Sequence, residues 1–351
     1  MRVGVVMGGT SSEREISLRS GEAVAVALEE AGHDVVRVEL GAGIDALDAL
    51  ASADMDVAFL ALHGKQGEDG CVQGVLEMLG IPYTGSGVLT SALAMDKLKS
   101  KELFRLHNVP TPPYYAVHRR NVAELAEVHG SFGFPVVVKP RREGSSVGVA
   151  KAENLSELVA AVDNALLYDD SVLVERFIKA REIAVGVLDG RVLGAIEIQP
   201  DGELYDFRAK YQSDATQYFL PARVGDTRLL GILNLAQRTV DALDVRGAAR
   251  VDLLVTEGMN EYVLEVNTLP GMTETSLLPK IARAAGYDFT SLCLAILETA
   301  RLDSGLGMQT LVRSSMEQAD ESIWEEAAFD DALPAVARSG RSSQSSARKS
   351  A

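Results

Sequence analysis

Residues 249–267 read "ARVDLLVTEGMNEYVLEVN". Two β-forming runs flank the polar turn Glu257-Gly258-Met259-Asn260, which is the signature of a hairpin. Pairing that is symmetric about this turn sets Asp252 opposite Glu265 and Arg250 opposite Asn267. Side chains two apart on a strand share a face, so all four point the same way. Carboxylates placed directly across a ladder repel each other. The arrangement therefore calls for positive charge between them, and a hard cation with oxygen ligands is the simplest candidate. The plain alternative is an edge strand with one solvated face, which breaks at once into "TLPGMTETS", residues 268–276.

Upstream, residues 1–88 alternate strand and helix. "RVGVVMGG" is a strand, "SSEREISLRSGEAVAVALEEAG" a helix and "HDVVRVEL" a strand. "VAFLALHG" is a further strand and "GCVQGVLEMLG" a further helix. The alternation predicts a parallel, Rossmann-like α/β unit. Ser12 and Glu15 have capping-box spacing at the first helix start. Residues 89–178 open on one long helix, "TSALAMDKLKSKELFRLHN". They continue through the strand "FPVVVKP", the loop "RREGSSVG", a helix near 155–167 and "SVLVERFI". Residues 179–301 are rich in strands, hold the hairpin, and close on the helix "DFTSLCLAILETAR". From 302 to 351 the composition turns Ser- and Arg-rich, ending in "SGRSSQSSARKSA". Such a tail cannot bury a core and is expected to be disordered.

The 351 residues suffice for two or three domains. No apolar run is long enough to span a bilayer, and the N-terminus enters a strand without a signal peptide's apolar region. A net charge of −16 argues against nucleic acid or anionic membrane as partners, which makes each of the few lysines worth locating. Cys71 and Cys293 are far apart with no metal or redox spacing. Both read as buried small hydrophobes in a reducing cytoplasm.

Several stretches can carry chemistry. "VVVKPRREGSSVGV", 136–149, ends a β-branched strand on Lys139 and follows it with small residues. Their N–H groups can close on phosphate oxygens as a nest, with Lys139 adding charge, although a plain hairpin turn would look similar. "GGTSSERE", 8–15, follows a strand and opens a helix but lacks both the Walker and the dinucleotide fingerprints. Locally it is a tight turn with Glu13 as a first-turn acid. "LVERF", 173–177, reads best as a linker between domains, and His63 in "HGKQGEDG" is a lone loop histidine. The polar stretch 203–222, containing Lys210 and Tyr211, has the length of an active-site lid.

Taken together, "GGTSSEREISL", "ALHGKQGEDG", "PYTGSGVLTSALAMDK", "VKPRREGSSVG", "VLVERFI", "AKYQSD", "ARVDLL" and "EVNTLPGMTETSLLPK" resemble the D-alanine–D-alanine ligase family of the ATP-grasp superfamily. They occur in the family's order and cover residues 1 to about 301. The resemblance implies a three-domain α/β architecture divided at 1–88, 89–178 and 179–301, with ATP between the second and third parts. It implies that Lys97, Lys139 and Lys210 hold phosphates, that Glu175, Phe177 and Ile178 frame adenine, and that Glu182 takes the ribose. Asp252, Glu265 and Asn267 would hold two Mg²⁺ ions, with Mn²⁺ as a substitute. Glu13 would meet the first substrate's ammonium, His63 its carboxylate, and Gly271, Ser276 and Leu277 the second substrate. Arg250 would support the reaction's oxyanion, and Ser145 and Tyr211 would join Glu13 in one network over both substrates. The implied protein is a cytoplasmic homodimer that uses ATP and D-alanine to make D-alanyl-D-alanine for peptidoglycan. Arg176 stands where the family often has lysine, which matters little if the backbone makes that contact.

Three alternatives remain distinct. A ligase with D-lactate or another D-amino acid as second substrate would share the scaffold, and Tyr211 speaks for the amine-using class. A non-catalytic nucleotide-binding relative would have no reason to keep opposed carboxylates. A dehydrogenase lacks its fingerprint.

Overall fold

The computed structural model describes residues 1–202, 205 and 215–303. Lys210, Tyr211 and residues 304–351 lie outside the described residues. The described residues build three sheets.

The first sheet contains β1 (Arg2–Gly8), β2 (Asp34–Leu40) and β3 (Val57–Leu60), all parallel, in the order β2-β1-β3. β1 is apolar throughout because it is covered on both faces, the usual condition of a parallel strand. Helices α1 (Arg14–Glu30), α2 (Ile44–Ser52) and α3 (Cys71–Leu79) accompany it. The expected capping box at α1 does not form. Glu13 takes the cap position without capping through its side chain, and the turn is held instead by Ser11, whose hydroxyl donates to the His63 carbonyl. Cys71 is exposed at the start of α3, contrary to expectation, because the helix turns its Val72, Gln73 and Leu76 side inward and leaves Cys71 on the other; Cys293 is buried as expected.

The expected long helix is two, α4 (Val88–Met95) and α5 (Lys97–Leu106), broken at Asp96. Asp96 caps α5 by accepting from the Lys99 N–H, and its carboxylate is forked by Arg141 at 2.7 and 2.6 Å. A side chain with two such partners stabilises the break more than a continuous helix would.

The second sheet is antiparallel, in the order β4-β7-β5-β6. It comprises β4 (Tyr114–His118), β5 (Val136–Pro140), β6 (Ala150–Ala152) and β7 (Ser171–Arg176), with α6 (Leu125–His129) and α7 (Leu155–Ala165) between them in the chain. Alternation decides which residues face the core. Val136, Val138, Val172 and Val174 pack with Leu158 and Val162 of α7. Val137, Lys139 and Glu175 therefore fall on the opposite face. "LVERF" is thus no simple linker, since its strand lies at the centre of a sheet and only its end leads away.

The third sheet is antiparallel, in the order β10-β9-β8-β11-β12. Its strands are β8 (Arg181–Leu188), β9 (Arg191–Gln199), β10 (Gln217–Phe219), β11 (Ala248–Val255) and β12 (Glu261–Asn267), and α8 (Asp226–Leu243) covers the face carrying Val251, Leu253 and Val263. Helices α9 (Leu277–Ala284) and α10 (Phe289–Glu298) follow. α10 adds Leu292, Cys293 and Ile296 to the core beneath the first sheet, although in sequence it follows the third. Leu302 is buried in the separate cluster on the other face of the first sheet, with Val6, Leu60 and Tyr83, and Asp303 contacts Glu77, the Val88 N–H and Arg246. Residues 302 and 303, which the sequence assigns to the tail, are therefore packed against the folded chain.

Candidate active site

The hairpin pairs Asp252 with Glu265 and Arg250 with Asn267, as symmetric pairing requires. Nearer the turn it does not, because Val255 opposes Glu261 and the register shifts beyond Asp252. The shift leaves Leu264 as an extra residue on β12. Val263 and Val266 both stay in the core, while consecutive Leu264 and Glu265 both line a cleft. A bulge of this kind re-aims a side chain without moving the rest of the strand. Here it sets an apolar and an acidic residue side by side.

The expected positive charge is supplied by side chains. Arg250 forks Asp252 through Nε and Nη2, at 2.7 and 2.8 Å. Asn267 Nδ2 donates to Asp252 Oδ2 at 3.1 Å, and Lys97 Nζ lies 3.4 Å from Glu265 Oε2. Burial alone would lower the Arg250 pKa, but the Asp252 charge and the fork raise it, so the guanidinium stays charged.

The cleft lies between the second and third sheets and has a volume of about 760 Å³. One wall offers Lys139, Glu175, Phe177 and Ile178, and the other Glu182, Asp252, Leu254, Leu264 and Glu265, with Lys97 from α5. Lys139 follows from strand alternation, and the loop beyond it is the connection of the β5–β6 hairpin. In that loop Ser145, Ser146 and Gly148 have φ of 47°, 59° and 70°. Two non-glycine residues in the left-handed region are uncommon and cost free energy, and they give the chain the curvature of a nest. The hairpin turn is thus present, and its curvature is what an anion cradle requires. The Lys151 ammonium lies 4.4 Å over the Phe177 ring. The Glu175 carboxylate is taken by Lys139 at 2.8 Å and Lys101 at 3.1 Å, so only its backbone is available to an adenine edge.

Beyond one end of the cleft, loops from distant parts of the chain converge. The Ser145 hydroxyl donates to the Glu13 carboxylate, and Glu13 is buried rather than a solvated first-turn acid. A Cβ on Gly144 would collide with that carboxylate, so any larger residue there would push the Glu13 carboxylate aside. His63 Nδ1 donates to the Leu269 carbonyl at 3.0 Å, and Ser20 Oγ lies 3.4 Å from Nε2. Burial lowers the His63 pKa and keeps the imidazole neutral, although Glu13 opposes this. Ser276 starts α9 and accepts from the Thr273 N–H, and a Cβ on Gly271 would press on its hydroxyl. Leu277 is buried against the third sheet.

Residue patterns missed three participants. Glu68 is buried, accepts from the Gly64 N–H at 2.8 Å, and is also hydrogen-bonded by the Leu269 backbone. Burial and then the charge of Glu13 push its carboxyl up to about 8. Tyr205 lines the cleft, and its carbonyl accepts from Ser146. Lys101 is fully buried. Of these only Lys101 had a signal, because it shares a helical face with Lys97 and Phe104 at the i, i+4, i+7 spacing of a buried stripe.

Two antiparallel sheets that close on a cleft, with lysines on one side and a carboxylate-bearing hairpin on the other, define an ATP-grasp enzyme. Models of the D-ala D-ala ligase N-terminus and C-terminus match residues 37–86 and 103–298. The chain is 52% identical over 307 residues to the D-alanine–D-alanine ligase of Geobacter sulfurreducens, covering 86% of this chain and 94% of that one. It is 49% identical over 301 residues to that of Geotalea uraniireducens, covering 86% and 96%. The crystal structure of D-alanine–D-alanine ligase from Bacillus anthracis complexed with ATP superposes with a TM-score of 0.74 at 37% identity, covering 90% of this chain and 99% of that one. The VanG D-Ala:D-Ser ligase from Enterococcus faecalis superposes with a TM-score of 0.74 at 28% identity, covering 84% and 98%. The chain belongs to the D-alanine–D-alanine ligase family.

Proposed function

We propose that this chain joins two D-alanine molecules into D-alanyl-D-alanine, consuming ATP and releasing ADP and phosphate, as a step toward peptidoglycan. The observation that carries the reading is the pairing of a lysine-lined cleft with the opposed Asp252 and Glu265 at its edge. A carboxylate is a poor acylating agent, and transfer of a phosphoryl group from ATP to it creates an acyl phosphate with a good leaving group. Phosphoryl transfer needs positioning and charge neutralisation more than covalent help. Lys97, Lys139 and Lys210 are assigned to the phosphates, the Phe177–Ile178 segment with the Glu175 backbone to adenine, and Glu182 to the ribose.

Asp252, Glu265 and the Asn267 amide oxygen suit a divalent cation. Asn267 uses its nitrogen on Asp252, which leaves its oxygen as a donor. Among the described residues no cluster of three or more His, Cys, Asp and Glu side chains forms a metal cage. Two carboxylates and an amide fit a cation that takes its other ligands from phosphates and water, as Mg²⁺ does. Two Mg²⁺ ions, or Mn²⁺ in their place, would supply charge neutralisation at the phosphates.

Glu13, held by Ser145, is assigned to the first D-alanine's ammonium. His63 is proposed to border its carboxylate while the ring holds the Leu269 carbonyl. Gly271, Ser276 and Leu277 are assigned to the second D-alanine, whose amine attacks the acyl carbon. The oxyanion that forms requires donors, and Arg250 with the Gly271 N–H would supply them. Tyr211, outside the described residues, is assigned with Ser145 and Glu13 to keeping water from the acyl phosphate.

Residues 1–88, 89–178 and 179–301 are proposed as three domains, with α10 lent to the first. No helix among the described residues is long and apolar enough to cross a membrane, which accords with action in the cytoplasm. Homodimerisation is proposed through apolar residues exposed on α2, α3 and α4, Ile44, Met78 and Leu89 among them. The test is ADP release by the full chain with ATP and Mg²⁺. D-alanine should stimulate it strongly, and release indifferent to D-alanine would overturn the reading.

A further inference from the structure

Lys101 takes no direct part in the ligation. It lies on α5, one turn beyond Lys97, with no side-chain exposure, and it does not line the cleft. Its ammonium reaches Glu175 Oε1 at 3.1 Å and donates to Thr111 Oγ1 at 2.6 Å. The other Glu175 oxygen meets Lys139, which does line the cleft, at 2.8 Å. One buried carboxylate is thus shared by a lysine in the cleft and a lysine behind it.

The charges decide what this arrangement does. Lys139 and Glu175 alone sum to zero, and a carboxylate at 2.8 Å would cancel most of the attraction Lys139 offers a polyphosphate. With Lys101 the three sum to +1. A cation buried behind an anion is an expensive way to fill space, because an apolar side chain would avoid its desolvation. What Lys101 adds is charge.

We propose that Lys101 is a positioning residue for the nucleotide: by sharing Glu175 with Lys139, it leaves the charge of Lys139 available to the phosphates of ATP. This rests on the cleft being the ATP site. The charged groups that act on Lys101 are Glu175 on β7, Lys139 on β5 and, further off, Glu265 on β12; the Tyr114 ring on β4 lies 5.8 Å from the ammonium. Burial pulls the Lys101 pKa down to about 8, against the opposing pull of Glu175. The ammonium is therefore present below about pH 8 and lost above it, and the trio falls from +1 to zero. Bound phosphates favour the charged form, so the loss should come at higher pH in the complex than in the free protein.

The experiment is calorimetric titration of the full-length protein with a non-hydrolysable ATP analogue and Mg²⁺, without D-alanine, from pH 7 to 9.5. Wild-type affinity should fall several-fold above pH 8. Lys101→Met should bind about tenfold more weakly at pH 7 and lose that pH dependence, about what one lost charge-assisted contact entails. Adding Glu175→Gln to Lys101→Met restores the sum of +1 and should recover much of the affinity, which repair of packing would not do. A pH-independent wild type, an unchanged Lys101→Met, or a double variant no tighter than the single would each overturn the proposal. Even if the variants do not fold, a flat wild-type profile overturns the proposal. Absence of any nucleotide binding by wild type would instead remove the ATP-site reading beneath it.

Discussion

The cleft proposed for the nucleotide and the loop end proposed for the amino acids are built differently. In the cleft, charged side chains stand on regular elements, with Lys139 on β5, Glu175 on β7, Lys97 and Lys101 on α5, and Asp252 and Glu265 on one hairpin. Their directions follow from strand alternation or helix period. At the amino-acid end, four loops meet. Glu13 finds Ser145 across 132 residues, His63 finds Leu269 across 206, and the Met272 N–H finds Ser20 across 252. The cleft is fixed by its elements, and the other end is fixed by hydrogen bonds that loops make with one another and with α1. Substitutions in the cleft should therefore remove chemistry and leave the fold. Substitutions at the loop end should loosen geometry and show first in D-alanine recognition.

The largest effect is expected in the cleft. Glu265→Gln should lower turnover about a thousandfold or more, since it removes a proposed cation ligand at the phosphates. The melting temperature should stay within a few degrees, because the change also relieves repulsion with Asp252. Normal turnover at saturating Mg²⁺ would break the assignment of the opposed carboxylates.

Gly144→Ala sharpens the comparison at the loop end. The added Cβ collides with the Glu13 carboxylate. A displacement near 1 Å at a reacting centre is worth about a hundredfold, so kcat/KM for D-alanine should fall by about that factor. Affinity for ATP should change little. Equal losses for both substrates would show that the two regions are one unit.

Glu68 tests the loop clamp through pH. Its carboxyl titrates at about 8 in the folded protein against 4.5 ordinarily. Between those values the folded state holds a proton that the unfolded state has released, so this group's stabilisation is full below about 4.5 and is lost as pH rises through about 8. Thermal melts of wild type and Glu68→Gln should diverge by a few degrees across that window, the wild type falling more steeply with rising pH. Parallel curves would show that Glu68 is not a buried protonated clamp.

The smallest effect is expected from the C-terminus. The sequence places the end of the folded part at Arg301, but Leu302 is buried and Asp303 bridges Glu77, Val88 and Arg246. Truncation after Asp303 should leave turnover within about threefold, a barrier change below about 1 kcal/mol. A hundredfold loss in soluble protein would mean that the tail completes the site.

This division also explains what the residue pattern revealed. The Arg250–Asn267 and Asp252–Glu265 pairs were legible because a hairpin is local and its turn marks the register. The parallel order of the first sheet was legible from alternating strands and helices, and Lys139 from the small residues that follow it. The bulge at Leu264 was not, since the run from Tyr262 to Val266 has no turn residue to mark it. Asp96 was passed over as a helix break because the stabilising partner, Arg141, lies 45 residues away. Glu68 and the Leu269 contacts had no local trace at all, and neither the residue pattern nor the family resemblance pointed to them.

The most direct test of the account is product identification. The full chain is incubated with ATP, Mg²⁺, D-alanine and D-lactate together at neutral pH, and the products are separated and identified. The account predicts D-alanyl-D-alanine as the main product, in one-to-one ratio with ADP and phosphate. ADP formed without dipeptide, or a D-alanine–D-lactate ester as the main product, would contradict it.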